Sequence, residues 1–167
     1  MTTVLLASDA DWLIEEVRSA LSDPGTEVTV VRAGADVRNA VSSQSPELVI
    51  LDLQIGNMGG MATCMDLQLE IGAGRIADVP ILMLLDRSAD VYLARQAGAQ
   101  GWLVKPLDSF RLKVASVKLL AGEDMRDEII DQPASNSDSV IDEDPVAEGD
   151  ENPVSYTHLT LPTICSV

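Results

Sequence analysis

The sequence is short of the residues on which much small-protein chemistry rests. It holds two cysteines, Cys64 and Cys165, and one histidine, His158. Two cysteines cannot staple a small secreted fold, which needs a framework of several bridges. Residues 1–122 contain no histidine, so neither a Cys/His zinc set nor a histidine-based triad can be built there. Bases are scarce as well, 11 Lys and Arg against 27 Asp and Glu, for a net charge of −16. So acidic a chain lacks the basic face of an autonomous nucleic-acid binder. The longest apolar run, residues 79–85, is far too short to span a bilayer. The N-terminus has no basic segment, and its apolar run stops at Ser8 and Asp9, unlike a secretory signal. These absences predict a soluble cytoplasmic protein of bacterial style, with no nucleic-acid partner and no membrane insertion.

What is present is unevenly spread. Residues 123–151 hold 12 acids and one base, Arg126, for a net −11. Residues 1–122 carry 15 acids and 10 bases, a net of only −5, and residues 154–167 carry no Lys, Arg, Asp or Glu. Three parts follow: a globular part (1–122), an acidic tail (123–153) and a neutral terminus (154–167). The tail is rich in Asp, Glu, Ser, Pro and Asn with scattered apolars, and such a composition buries too little to offset ordering entropy. It is expected to be disordered, either as a solubilising extension or as a docking segment for a basic partner. The Thr- and Leu-rich terminus resembles the translated adapter ends of assembled reads and is left out of fold reasoning. On that reading His158 and Cys165 carry no function, and the native C-terminus lies elsewhere.

Within the globular part, short apolar runs alternate with helical patterns. Val4 to Ala7, Glu27 to Val31, Leu48 to Leu51, Pro80 to Leu85 and Trp102 to Val104 read as strands. Between them, Leu13, Val17, Ala20 and Leu21 recur at helical spacing, Ala35 to Val41 and Met61 to Ile71 read as helices, and so does Asp90 to Gln96. Phe110, Val114, Val117 and Ala121 form one apolar face at 4, 3, 4 spacing on a last helix. Asp23-Pro24-Gly25, Gly72, Gly74 and Gly98 supply stops. Strands apolar on both faces, alternating with helices, predict a five-stranded parallel sheet, doubly wound, in the α/β class. Met58, Met61 and Met65 are expected to fill space around the third helix, and Cys64 to be a small core residue.

In such a sheet the functional crevice lies at the carboxyl ends of the strands. Asp9 follows the first strand, Asp52 ends the third, and Lys105 follows the fifth, just before Pro106. One charged residue after a strand is ordinarily a solvated loop residue. Three from three strands on one edge argue for a site. The glycines offer no rival: the first strand runs into Ser8-Asp9-Ala10-Asp11, which has no phosphate-cradling glycine, so a Rossmann or flavodoxin-like cofactor domain is the weaker reading.

In these residues the sequence resembles the receiver domain of two-component response regulators, across about Val4 to Ala121. The anchors are Ser8-Asp9, Val49-Ile-Leu-Asp52 with Gly60 beyond it, Gly98-Ala99, and Lys105-Pro106. The resemblance implies a flavodoxin-like (βα)5 fold and Asp52 as phosphoacceptor, with a sensor histidine kinase or another phosphodonor as partner. It implies Mg²⁺ held by Asp9, Asp52 and the backbone carbonyl of Gln54, with Ser8 a weak contributor, and Lys105 on the phosphoryl oxygens. At most such a domain catalyses its own phosphorylation and dephosphorylation. It also implies a protein partner, or a weak homodimer, at the face of helix four, strand five and helix five.

Several positions depart from the pattern. Ser8 stands where a second acid is usual, which should weaken metal binding. Leu85 stands at the position of the hydroxyl that reads out the phosphoryl group, and Asp86 at a position that is usually small. Gly56 replaces the common proline four residues after Asp52. Trp102 holds the place of an aromatic switch and is expected to be an exposed interface anchor packed against the fourth helix. Two readings stay open: an atypical stand-alone receiver phosphorylated slowly on Asp52, or a phosphorylation-independent adaptor. In the second, Asp52 and Lys105 persist as an ion pair and Asp86 occludes the site.

Overall fold

The structure, a computed structural model, describes residues 1–125. The expectations about the tail beyond Met125 and about residues 154–167 lie outside the described residues. Five strands alternate with five helices. They are β1 (Thr2–Ala7), α1 (Asp11–Ala20), β2 (Thr26–Val31), α2 (Gly34–Gln44), β3 (Leu48–Asp52), α3 (Gly60–Gly72), β4 (Ile81–Leu85), α4 (Val91–Gln96), β5 (Gly101–Val104) and α5 (Ser109–Leu120). A single 3₁₀ turn, Ser88–Asp90, precedes α4. All strand pairs are parallel, in the order β2-β1-β3-β4-β5. The doubly wound parallel sheet expected from the sequence is the observed one.

The apolar runs mark the central strands because both faces of the sheet are covered. Every residue of β3 and β4 is buried. Their side chains alternate between two cores. Leu5, Ala7, Val49, Leu51, Ile81, Met83 and Leu85 join the helices α2, α3 and α4 on one face. Val4, Leu6, Leu48, Ile50, Leu82 and Leu84 join α1 and α5 on the other.

The last helix turns its other face inward. Its buried residues are Leu112, Ala115, Ser116 and Leu119, while Phe110 is 72% and Val117 58% exposed. The apolar face read from the 4, 3, 4 spacing is therefore largely the solvent face. Two stripes of this helix are apolar, and Leu112, Ala115 and Leu119 join the core on the sheet face that α1 also covers. Beyond Gly122, Met125 is buried, and its N–H donates to Gln100 O at 2.9 Å. Among the described residues, no helix is long and apolar enough to cross a membrane.

Two glycines bring the crevice together. A Cβ on Gly60 would meet Asp52 O at 2.5 Å, so only glycine lets α3 start directly against the end of β3. A Cβ on Gly34 would collide with Met58 O, so the absence of one lets the loop after β3 lie close to the start of α2. Asp108 accepts from Phe110 N at 2.9 Å and caps α5, fixing the loop that carries Lys105.

Candidate functional site

Asp52 ends β3 and is 1% exposed, so its carboxylate must be satisfied by the protein. Its Oδ1 accepts from the Lys105 ammonium at 2.7 Å and from Gln54 N at 3.2 Å, and its Oδ2 accepts from Ser8 Oγ at 2.9 Å. Ser8 is fully buried, and its Oγ accepts in turn from Ala10 N at 3.2 Å. The hydroxyl that replaces an expected acid thus serves as a donor to the acid that remains.

Lys105 follows β5, and its N–H donates to Leu85 O at 2.8 Å, extending the β4–β5 ladder by one bond. Its ammonium also donates to Asp86 Oδ1 at 3.1 Å. One cation therefore bridges two carboxylates from neighbouring strand ends. Burial disfavours the charge on Lys105, but the hydrogen bonds and charges of Asp52 and Asp86 outweigh it and raise its pKa. Burial likewise pushes the Asp86 carboxyl up. The Gln54 side chain and Lys105, with the Arg87 charge, overcome this and hold the group below its ordinary value. The Lys105 ammonium also lies 5.8 Å from the centre of the Trp12 ring, within cation–π range.

Asp9 sits exposed at the rim, where its Oδ2 accepts from Gly56 N at 3.2 Å. Proline at position 56 would have no N–H to offer, and a Cβ there would come within 3.0 Å of that oxygen. The departure at Gly56 thus provides the donor that fixes Asp9. The structure brings Ser8, Asp9, Asp52, Asp86 and Lys105 together as the sequence suggested. Sequence reasoning missed Trp12 and the Gln54 side chain, since nothing in their local pattern marks them as crevice residues.

The Leu85 and Trp102 side chains belong to the core rather than to the hydrogen-bond network of the crevice. Leu85 is fully buried in the core cluster shared with Ala94 and Ala97, and it offers no polar group. Trp102 is only 8% exposed in the same cluster, with the Arg95 guanidinium 5.6 Å from its ring centre. The expectation of an exposed Trp102 anchor is therefore corrected. The ring faces the sheet side covered by α3 and α4, and Arg95 covers what is left of it.

The response regulator receiver domain model matches residues 4–116. The chain belongs to this family. The receiver is 31% identical over 109 residues to the transcriptional regulatory protein CseB of Streptomyces avermitilis, covering 64% of this chain and 44% of that protein. It is likewise 31% identical over 105 residues to the DNA-binding response regulator MtrA of Mycolicibacterium smegmatis, covering 62% and 43%. The chain thus spans less than half the length of these curated relatives. Among solved structures, a response regulator from Chloroflexus aurantiacus aligns at a TM-score of 0.63 with 26% identity, covering 72% of this chain and 98% of that one. The chemotaxis protein CheY4 of Vibrio cholerae shares the fold at a TM-score of 0.62 and 24% identity, covering 71% and 98%. A receiver domain is a signalling module of two-component systems rather than a conventional enzyme, and its family generally binds Mg²⁺ at the phosphorylation site.

The donor chemistry here suits that ion. Asp9 and Asp52 place carboxylate oxygens at the same end of the sheet, and Mg²⁺ is commonly held by one or two carboxylates with waters completing the octahedron. Among the described residues, no cluster of three or more acidic, histidine or cysteine ligands forms. Ser8, where a second acid is usual, instead donates its hydroxyl to Asp52.

Proposed function

We propose that this chain is an atypical receiver in phosphorelay signalling, with Asp52 as the phosphoacceptor. The observation that carries the reading is the Lys105 ammonium placed at 2.7 Å from the buried Asp52 carboxylate. A phosphoryl group built on Asp52 would meet that cation at once. In the transfer, an Asp52 oxygen bonds to the phosphorus of a phosphohistidine or a small acyl phosphate. The donor's bond to phosphorus breaks, and the leaving group departs with the electron pair. Asp9, Asp52 and the Gln54 carbonyl would hold Mg²⁺, which when bound neutralises charge on the phosphoryl oxygens. Ser8 keeps the Asp52 carboxylate oriented, and Lys105 binds the transferred group as a compact point charge.

A specific observation supports a second reading, the phosphorylation-independent adaptor. Lys105 is already shared with Asp86, and Leu85 supplies no hydroxyl for a phosphoryl oxygen. In either reading, output runs through protein contact at the face of α4, β5 and α5. Incubating the full chain with a small acyl phosphate and Mg²⁺, then measuring intact mass, separates them. One added phosphoryl group that disappears in Asp52→Asn supports phosphotransfer. No addition at saturating donor and metal leaves the adaptor.

A further inference from the structure

Trp12 stands at the crevice, and the reaction above leaves it unused. It lies in the first turn of α1 and is 60% exposed, while Leu13, Ile14 and Val17 supply the buried face of that helix. A single exposed aromatic ordinarily needs no explanation. This one is held at a defined place. The Asp11 carboxylate accepts from the Arg32 guanidinium at 2.6 Å, and the same guanidinium donates to Asp9 O at 3.4 Å. Ser8 Oγ accepts from Ala10 N at 3.2 Å, so the turn from β1 into α1 is pinned on both sides of Asp9. The indole ring comes to rest 5.8 Å from the Lys105 ammonium, which is itself 2.7 Å from Asp52 Oδ1. Taken end to end, these distances put the ring centre no more than about 8.5 Å from that carboxylate oxygen. The reach of a phosphodonor fits this span. Before transfer the attacking oxygen stands about 3 to 3.5 Å from phosphorus, and the leaving atom lies one bond further in line. Two aromatic rings make contact with their centres about 4.5–7 Å apart. An aromatic leaving group can therefore meet the Trp12 ring while its phosphorus faces Asp52.

We propose that Trp12 is a specificity-determining residue, whose indole face takes the imidazole ring of an N-phosphorylated imidazole and favours that donor over an acyl phosphate. The proposal rests on the reading above of Asp52 as phosphoacceptor, and it names the residue that selects the donor. In transfer from protonated N-phosphoimidazole, an Asp52 oxygen bonds to phosphorus and the P–N bond breaks. The electron pair stays on nitrogen, and the ring, positive before transfer, departs as neutral imidazole. A planar cation is what an indole face attracts. Transfer from acetyl phosphate breaks a P–O bond and releases acetate, an anion with no ring to stack. More than half of Trp12 is open to solvent although Lys105 stands beside it, so ring surface remains for this second contact. A ring that only steadied Lys105, or only kept water from the crevice, would act on every donor alike.

The test measures second-order rate constants for phosphorylation of the full chain with Mg²⁺, followed by intact mass. Three donors are used: N-phosphoimidazole, phosphoramidate and acetyl phosphate. Phosphoramidate shares the P–N bond but leaves as ammonia, so it separates the ring from the bond type. The readout is each nitrogen donor's rate constant divided by that of acetyl phosphate. Partial misfolding of a variant lowers every constant and cancels in this ratio. Trp12→Ala should lower the phosphoimidazole ratio by about tenfold, and Trp12→Phe should recover most of it. The phosphoramidate ratio should stay level in both variants. A phosphoimidazole ratio unchanged within about threefold in Trp12→Ala overturns the proposal. So does a phosphoramidate ratio that falls with it, which assigns the effect to the bond and not the ring. Equal slowing of all three donors overturns it in favour of a ring that only holds Lys105. A shortened lifetime of the phosphorylated chain with level ratios overturns it in favour of a water shield. Phosphorylation of the parent with a level ratio in the variant removes Trp12 alone, whereas a parent that takes phosphoryl from none of the three removes the phosphoacceptor reading and this proposal together.

Discussion

Replacing Asp86 by Asn removes one charge from the crevice while keeping the side chain's shape. Two carboxylate oxygens that share one ammonium at 2.7 and 3.1 Å lie no more than about 6 Å apart. Phosphorylation adds about one further negative charge at Asp52, since a carboxylate becomes a phosphoryl dianion. At that separation and an effective dielectric of about 20, one extra unit charge costs roughly 3 kcal/mol against Asp86. That corresponds to about two orders of magnitude in the phosphorylation equilibrium. The Asp86 side chain is 34% exposed, so solvent screening cuts the figure toward a single order of magnitude. Asp86→Asn should therefore reach a given phosphorylated fraction at roughly 10- to 100-fold lower donor concentration. The assay is steady-state intact mass across a titration of a small acyl phosphate at fixed Mg²⁺, with Asp52→Asn as blank. Freeing Lys105 from Asp86 acts in the same direction. A donor requirement unchanged within about threefold would refute the electrostatic argument, because even a well-screened charge at this distance exceeds that margin.

Ser8→Asp should restore the missing acid and put two carboxylates about 4 Å apart, a repulsion on the order of 4 kcal/mol at an effective dielectric of 20. Without metal its Tm should fall by roughly 10 °C or more, and Mg²⁺ should recover much of the loss through binding linkage. Melting curves with EDTA and with Mg²⁺ check this; equal Tm in EDTA for parent and variant would count against it. Asp86, whose carboxyl lies below its ordinary value, contributes stability that is full above the unfolded carboxylate range and lost as pH falls through its folded value. Lys105, raised above its ordinary value, contributes below the unfolded lysine range and loses this as pH rises through its folded value. The stability gap between the parent and Asp86→Asn, measured by thermal melting, should therefore narrow as pH drops below about 4. A gap that stays constant from neutral pH to pH 3 would remove Asp86 from the account.

The sheet was legible because parallel strands covered on both faces read as unbroken apolar runs, as at Leu48 to Leu51 and Ile81 to Leu85. Asp9, Asp52 and Lys105 were legible for a related reason, since the end of a strand fixes where the next residue goes. Periodicity says less about a helix with two apolar stripes. On α5, Phe110-Val114-Val117 and Leu112-Ala115-Leu119 are both regular, and only docking on the sheet decides between them. Trp102 packs against α4 as expected, but its exposure was misjudged, because the Arg95 guanidinium beside the ring is not something strand position reveals. The roles of Gly56, Gln54 and Trp12 depend on loops meeting from separate strand ends, which no local pattern encodes.

The chain's two tryptophans occupy opposite environments, and this gives the domain a pair of built-in optical reporters. Trp12 is 60% exposed beside the Lys105 ammonium, while Trp102 is 8% exposed beneath Arg95. Emission from the first should be red-shifted by water and should respond to whatever engages the crevice cation. Emission from the second should be blue-shifted and should respond to the seating of α4. Single Trp→Phe variants should therefore yield two separate spectroscopic channels, one for the Asp52–Lys105 crevice and one for the packing of α4, with no added label.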